Sequence, residues 1–532
     1  MPALAEAPRH PLNRVALIEP PSGIYLGFEQ LVRTEPLGLM QVAGAIKDRV
    51  KEVRIYDDRV KPGQWRQELG KNPSMIGIRC NYTADVPTVN KLINDIAEAF
   101  GEDLPPIIIG GHHISLRPQD VFRPEVKAVA IGHGEKIMQD AVDHWAKYGS
   151  FRGVEGVWYQ DDDGAFISNV KENAKSSLCE FRSAFMDQRA EPARDLVEEY
   201  RDGYYFLYYP RPVSIETARG CRFACTFCSV HEFNNKQYRV ESPQRTAERI
   251  ANLPADALYV NIMDDLAFYD IDGAIELAEA IIRMGVNNRR FWNQMRVDTI
   301  FPENPEKRYK SEKLIATWAE AGLDMTLEGL ESLGAQGELK KVHKGTKVWQ
   351  NAAAIRLMQK YGIKNWGAQI VFQDWDIPEF DAAIRANQEL EIEAPQFTIL
   401  TPLPGTEDFK KAKENRLLLT EDPGRYNFFD SVLATKLSEE EFHVQHARLY
   451  RETGAFGKDD RGRFVNRRLA VKMARSLEED IKADRITRAR LDGTREAWER
   501  WSDPETHLVY LRQVRAREGI SQSGVVFNPS EK

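Results

Sequence analysis

Ala218-Arg-Gly-Cys-Arg-Phe-Ala-Cys-Thr-Phe-Cys-Ser229 gathers three of the chain's five cysteines, Cys221, Cys225 and Cys228, into a C-x3-C-x2-C run. Soft thiolates are the ligands that iron–sulfur chemistry selects, and three of them on one loop leave the fourth iron of a cluster without a protein ligand. Such an open iron can bind another molecule. Structural zinc is the competing reading, with His231 as the nearest fourth ligand, but no second C-x2-C pair accompanies the run. The preceding Val213-Ser-Ile-Glu-Thr-Ala218 reads as a strand end delivering a glycine-bearing loop. Barrel enzymes hold their chemistry at the carboxyl ends of such strands.

Working outward from this loop, residues 213–435 alternate strand-like and helix-like stretches. Ala257–Met263, Arg290–Gln294, Met325–Glu328, Trp366–Val371 and Gln396–Leu400 join Val213–Thr217 as six strands with helices between them. On the amino-terminal side, residues 13–148 carry Val15–Glu19, Glu52–Tyr56, Ser74–Arg79, Pro106–Gly110 and Ala128–Gly132, with helical segments such as Gly38–Val50 between them. Short apolar strands separated by helices predict a doubly wound α/β sheet of flavodoxin or Rossmann type, whose ligand lies beyond the strands' carboxyl ends. Glycine turns stand at those ends: Glu35-Pro-Leu-Gly38, Gly110-Gly111-His112-His113 and Gly132-His133-Gly134-Glu135. Between the two halves, Asp161-Asp-Asp-Gly164 marks a hairpin in a connector over 149–210 that ends in an aromatic run, Tyr204–Tyr209, read as packing. Beyond 435 the pattern is helical and charged, with candidate helices at 436–454, 463–483 and 488–501 and a loose tail from 519.

The cysteine run, with Phe227 immediately before Cys228, resembles the signature of the radical S-adenosylmethionine (SAM) superfamily. The resemblance implies a [4Fe-4S] cluster held by Cys221, Cys225 and Cys228, whose open iron chelates SAM, on a six-unit β/α partial barrel. Further matches follow at the strand ends. Asp264 and Asp265 resemble a D-D-x-x-F pattern near the SAM amino group. Glu331, in Gly329-Leu-Glu-Ser332, resembles a G-x-E-S pattern near the ribose. Arg296 stands where relatives place an active-site arginine able to pair the SAM carboxylate. Lys344-Gly-Thr346 and Thr401-Pro-Leu-Pro-Gly-Thr406 resemble K-G-T and T-P-x-P-G-T steps of the same families, whereas Gln373-Asp-Trp-Asp376 replaces the usual G-x-P.

The amino-terminal turns resemble those of the cobalamin-binding domain that one large radical SAM group carries. This implies cobalamin contacts from Pro36, Leu37, Gly38, Gly110, Gly111, His112, Gly132, Gly134 and Glu135, with His133 in place of a usual glutamate. No D-x-H-x-x-G motif is present, so no histidine from that motif replaces the lower base of the cobalamin. The whole pattern is similar to class B radical SAM methyltransferases, and within them most like hopanoid C-methylases of the C-3 type. The resemblance implies hydrogen abstraction by a 5′-deoxyadenosyl radical and methyl transfer from methylcobalamin to an unactivated carbon, with no demand for a general base. The related magnesium-protoporphyrin monomethyl ester oxidative cyclases, which transfer no methyl, are the alternative. A methylthiotransferase would need three further cysteines, and only Cys80 and Cys179 remain.

At 532 residues the chain exceeds one ordinary core, and the expected units are 13–148, 149–210, 211–435 and 436–518. A net charge of −8 argues against a nucleic-acid partner. The partners expected are a small-molecule, lipid-like substrate and an electron donor such as flavodoxin or ferredoxin. The amino terminus lacks a signal-peptide core, and no apolar run reaches the 18 or so residues of a membrane span. The expected location is cytoplasmic, with peripheral association at the inner membrane face.

Overall fold

The computed structural model describes residues 12–23, 32–68, 73–170, 183–207 and 209–453. Cys179, the candidate helices at 463–483 and 488–501 and the tail from 519 lie outside the described residues. Among the described residues no helix is long and apolar enough to cross a membrane.

The first sheet runs in the order Glu52–Asp57, Arg14–Glu19, Met75–Arg79, Ile107–Gly110, Val126–Ala130, all parallel, and ends in the antiparallel hairpin Val157–Gln160 and Phe166–Ser168. Its strands are nearly continuous apolar runs because both faces are covered. Val15 and Leu17 pack to one side with Met40, Ala43 and Ile137, while Ala16 and Ile18 pack to the other with Val89, Ile93 and Ile96. In sequence order the parallel strands stand 2-1-3-4-5, so the chain changes direction between Arg14–Glu19 and Met75–Arg79, and ligands bind at that crevice in sheets of this order. The fifth strand occupies Val126–Ala130, two residues earlier than its apolar run suggests, which frees Gly132 for the turn that follows.

The second sheet has six parallel strands in sequential order: Val213–Ile215, Tyr259–Ile262, Arg290–Arg296, Leu323–Glu331, Lys364–Val371 and Gln396–Ile399. No pairing within the sheet joins its last strand to its first, so it is a partial barrel. The open edge is covered rather than exposed. Tyr450, on the helix Glu439–Thr453, accepts a hydrogen bond from Phe397 N at 3.0 Å and donates to Phe397 O at 2.6 Å, and Ile399 N donates to Phe428 O. Side chains and loops thus stand in for a missing neighbour strand.

The aromatic run closes the opposite mouth. Tyr205–Phe206 pairs with Val32–Arg33 and Tyr209–Pro210 in a small antiparallel sheet. Phe206 sits against Trp292 and Trp366, with ring centres 4.7 and 5.6 Å away, and Tyr204 donates to Asp57 Oδ2. The connector therefore plugs the barrel's amino-terminal end and ties it to the first sheet.

Candidate active site

The carboxyl ends of the two sheets face each other, and three turns of the first half each touch the segment 214–229 of the second. Glu35, in the turn before the helix Leu37–Ile46, accepts from Ser214 N at 2.7 Å. Glu135, in the first turn of the helix Gly134–Tyr148, pairs with Arg219 at 2.6 Å. His112 Nε2 lies 2.8 Å from Oγ of Ser229, the residue after Cys228. Burial alone would raise the Glu135 carboxyl, but the Arg219 guanidinium overrides it and holds it at about 2.

A cavity of about 260 Å³ lies in this junction. Its floor is the switch-point crevice, with Leu17, Gly77, Ile108, Ile137 and Met138, and its mouth carries Gly38, Gly110, Gly111, His112, Gly132, Gly134 and Glu135 from one half and Glu216, Arg219, Phe233 and Asp265 from the other. A side chain at Gly38 would meet no atom within 4 Å, so the helix presents bare backbone to the cavity. Gly111 has φ +132°, and a Cβ there would lie 2.4 Å from the Cys80 carbonyl oxygen. Only glycine makes that turn. Pro36 caps the helix and Leu37 begins it. His112 and His133 flank Phe233 at 4.6 and 5.2 Å, and burial lowers both imidazoles to about 4, so both are neutral at pH 7. His113 turns away: its ring nitrogens contact Thr83 and Asp120.

The cysteine loop is braced from beneath by the two aspartates that end the second strand. Asp264 accepts from Thr217 through both backbone N and Oγ1, and Asp265 accepts from Gly220 N at 2.9 Å, where Gly220 has φ +87°. Burial raises their carboxyls to about 7 and about 6. Thr226 exchanges two 3.1 Å hydrogen bonds with Asp408, just past the Thr401–Thr406 turn. Phe227 packs against the cluster that contains Val342, Phe372 and Phe397. Arg296 is held by Asp298 through Nε and Nη2 at 2.9 and 3.0 Å, and Nη2 also donates to Lys344 O. Glu331, with φ +56° at a strand irregularity, pairs with Lys344 at 2.6 Å, so the G-x-E-S and K-G-T segments are joined by one buried ion pair.

The residues suit the cofactors the resemblance implies. Burial pushes the Cys228 thiol up to about 12, and a cationic centre beside it would favour its thiolate. The cavity has an apolar floor, glycine-lined walls and one buried amide, Gln41, whose Nε2 and Oε1 have no hydrogen-bond partner among the described residues.

The sequence motifs assign no role to Gln41, Arg219, Ser229 or Phe233. Gln41 carries a usable signal, a lone amide within Leu37-Gly-Leu-Met-Gln-Val-Ala-Gly44. Arg219 and Ser229 sit inside the quoted cysteine run, but their partners are 84 and 117 residues away.

Residues 30–142 match the family described as B12 binding domain, and residues 215–386 match the radical SAM superfamily. The chain is 28% identical over 422 residues to the hopanoid C-3 methylase of Methylococcus capsulatus, covering 77% of this chain and 75% of that protein. It is 27% identical over 441 residues to an uncharacterised methyltransferase of Pyrococcus horikoshii, covering 80% and 88%. Its fold is similar to that of OxsB, a cobalamin-dependent S-adenosylmethionine radical enzyme solved with aqua-cobalamin and S-adenosylmethionine bound, with a TM-score of 0.64 and 18% identity over 95% of this chain and 75% of that one. Two matched domains, joined face to face at one cavity, give the chain a B12-binding half and a radical SAM half, whose cofactors are cobalamin, SAM and a [4Fe-4S] cluster.

Proposed function

We propose that this protein is a methyltransferase that methylates an unactivated carbon of a hopanoid lipid, at C-3, in the chamber between its two halves. The observation that carries the reading is that all three glycine-bearing turns of the B12-binding half touch the segment leading through the cysteine loop. The cluster and SAM supply a hydrogen-abstracting radical and cobalamin supplies the methyl group. The protein's part is to hold, orient and exclude water. Cys221, Cys225 and Cys228 hold the cluster. Asp264 and Asp265 fix the loop, and Phe227, Arg296 and Glu331 line the SAM side. Pro36, Leu37, Gly38, Gly110, Gly111, His112, Gly132, Gly134 and Glu135 would hold cobalamin. Histidines kept neutral by burial leave the chamber without an added positive charge.

The substrate assignment is supported by the similarity to the Methylococcus capsulatus hopanoid C-3 methylase over three quarters of both chains. A lipid substrate suits a protein that meets the membrane peripherally at its inner face, and flavodoxin or ferredoxin suits the need for a low-potential electron. The functional units are 13–148, 149–210, 211–435 and 436–518.

Anaerobic incubation with reductant, cobalamin, methyl-deuterated SAM and a hopanoid-containing lipid extract tests the reading. A hopanoid heavier by one CD3-for-H replacement, formed with 5′-deoxyadenosine and S-adenosylhomocysteine, is the expected outcome. Deoxyadenosine without homocysteine or label would favour cyclase-type chemistry and contradict methyl transfer.

A further inference from the structure

Arg296 stands closer to the cysteine loop than its expected role at the SAM carboxylate requires. Its Nη1 lies 3.6 Å from Cys225 Sγ, within the reach of an N–H···S hydrogen bond, and its guanidinium carbon lies 3.6 Å from the centre of the Phe223 ring, which is itself between Cys221 and Cys225. A guanidinium has five N–H donors. Here Nε–H and one Nη2–H go to Asp298, the other Nη2–H goes to Lys344 O, and one Nη1–H goes to the sulfur. Only one N–H is left for any bound molecule. The group is 6% exposed, stacked on one face and tethered at its edge, so it has little freedom to swing toward a ligand.

We infer that Arg296 is a positioning residue for the cluster: it fixes Cys225 and raises the reduction potential of the [4Fe-4S] centre, and contact with SAM is secondary. A fixed cation and an N–H···S bond both stabilise the more negative, reduced cluster, and such bonds are among the main levers on iron–sulfur potentials. Asp298 lies on the far side of the fork and keeps the guanidinium aimed at the sulfur, while the Phe223 face accepts its charge without competing for its protons. The inference rests on Cys221, Cys225 and Cys228 being the cluster ligands.

The test is an EPR-monitored redox titration of the full chain, reconstituted anaerobically and without SAM, comparing wild type with Arg296→Gln. Iron content of the wild type separately tests the cluster assignment: about four irons per chain supports it. Given a loaded cluster, the Arg296→Gln midpoint is expected to be more negative than wild type, with SAM affinity reduced less than tenfold. An unchanged midpoint overturns the inference, whatever happens to SAM binding. If the variant holds too little iron to titrate, the wild type decides alone. With arginine 15N-labelled in its guanidino group, its reduced cluster should show a 15N coupling in pulsed EPR that Arg296→Lys lacks, and absence of that coupling in the wild type overturns the inference.

Discussion

Arg219 donates from Nη2 to Glu135 Oε1 at 2.6 Å, an ion pair that crosses from just before the first cysteine to the helix rising from the B12-binding sheet. Arg219 also holds Glu216 at 2.8 Å, so one guanidinium fixes both the start of the loop and its distance from the opposite turn. Removing a hydrogen-bonded charge from such a buried pair costs about 2 kcal/mol, and Glu135→Gln is expected to lose about that much in unfolding experiments. The sign with pH is defined. The folded carboxyl is held near 2 against an ordinary 4.5, so its stabilisation is complete above 4.5 and is lost as pH falls toward 2. The deficit of Glu135→Gln relative to wild type should therefore narrow below pH 4.5.

Gly38 gives a cleaner test of the cavity, because nothing lies within 4 Å of where its side chain would begin. Gly38→Phe is expected to fold normally and to fill the space instead. Cobalamin binding, followed by absorbance with the purified full chain, should weaken at least about tenfold, the equivalent of about 1.4 kcal/mol. Unchanged affinity would place cobalamin elsewhere.

The edge of the partial barrel depends on Tyr450. In Tyr450→Phe the amide of Phe397 loses its acceptor in a covered position, at a cost of about 1–3 kcal/mol. Hydrogen exchange at Phe397 should accelerate by about tenfold or more while the strands of the first sheet keep their protection.

Much of this was legible in the sequence because the strands are short apolar runs between helices, as with Ile107-Ile-Ile109, and because the cysteine run is local. The order 2-1-3-4-5 was not, since periodicity says which face a residue takes and nothing about which strand lies beside it. Tyr204 and Phe206 pack as the aromatic run suggests, but the place of Phe206 against Trp292 and Trp366 depends on contacts more than eighty residues away. In the sequence Arg296 stands out only by its position at a strand end. Its commitment to Asp298, Lys344 O and Cys225 depends on how three separate segments meet.

In the proposed function the cluster and cobalamin sit in the two halves and face one chamber. Pulsed EPR on the full chain, loaded with both cofactors and poised with the cluster reduced and the cobalt as Co(II), tests it most directly. A spin–spin interaction between the two centres is expected, and it should disappear in Cys225→Ala, which keeps cobalamin and loses the cluster. Two non-interacting spectra from a doubly loaded protein would contradict it.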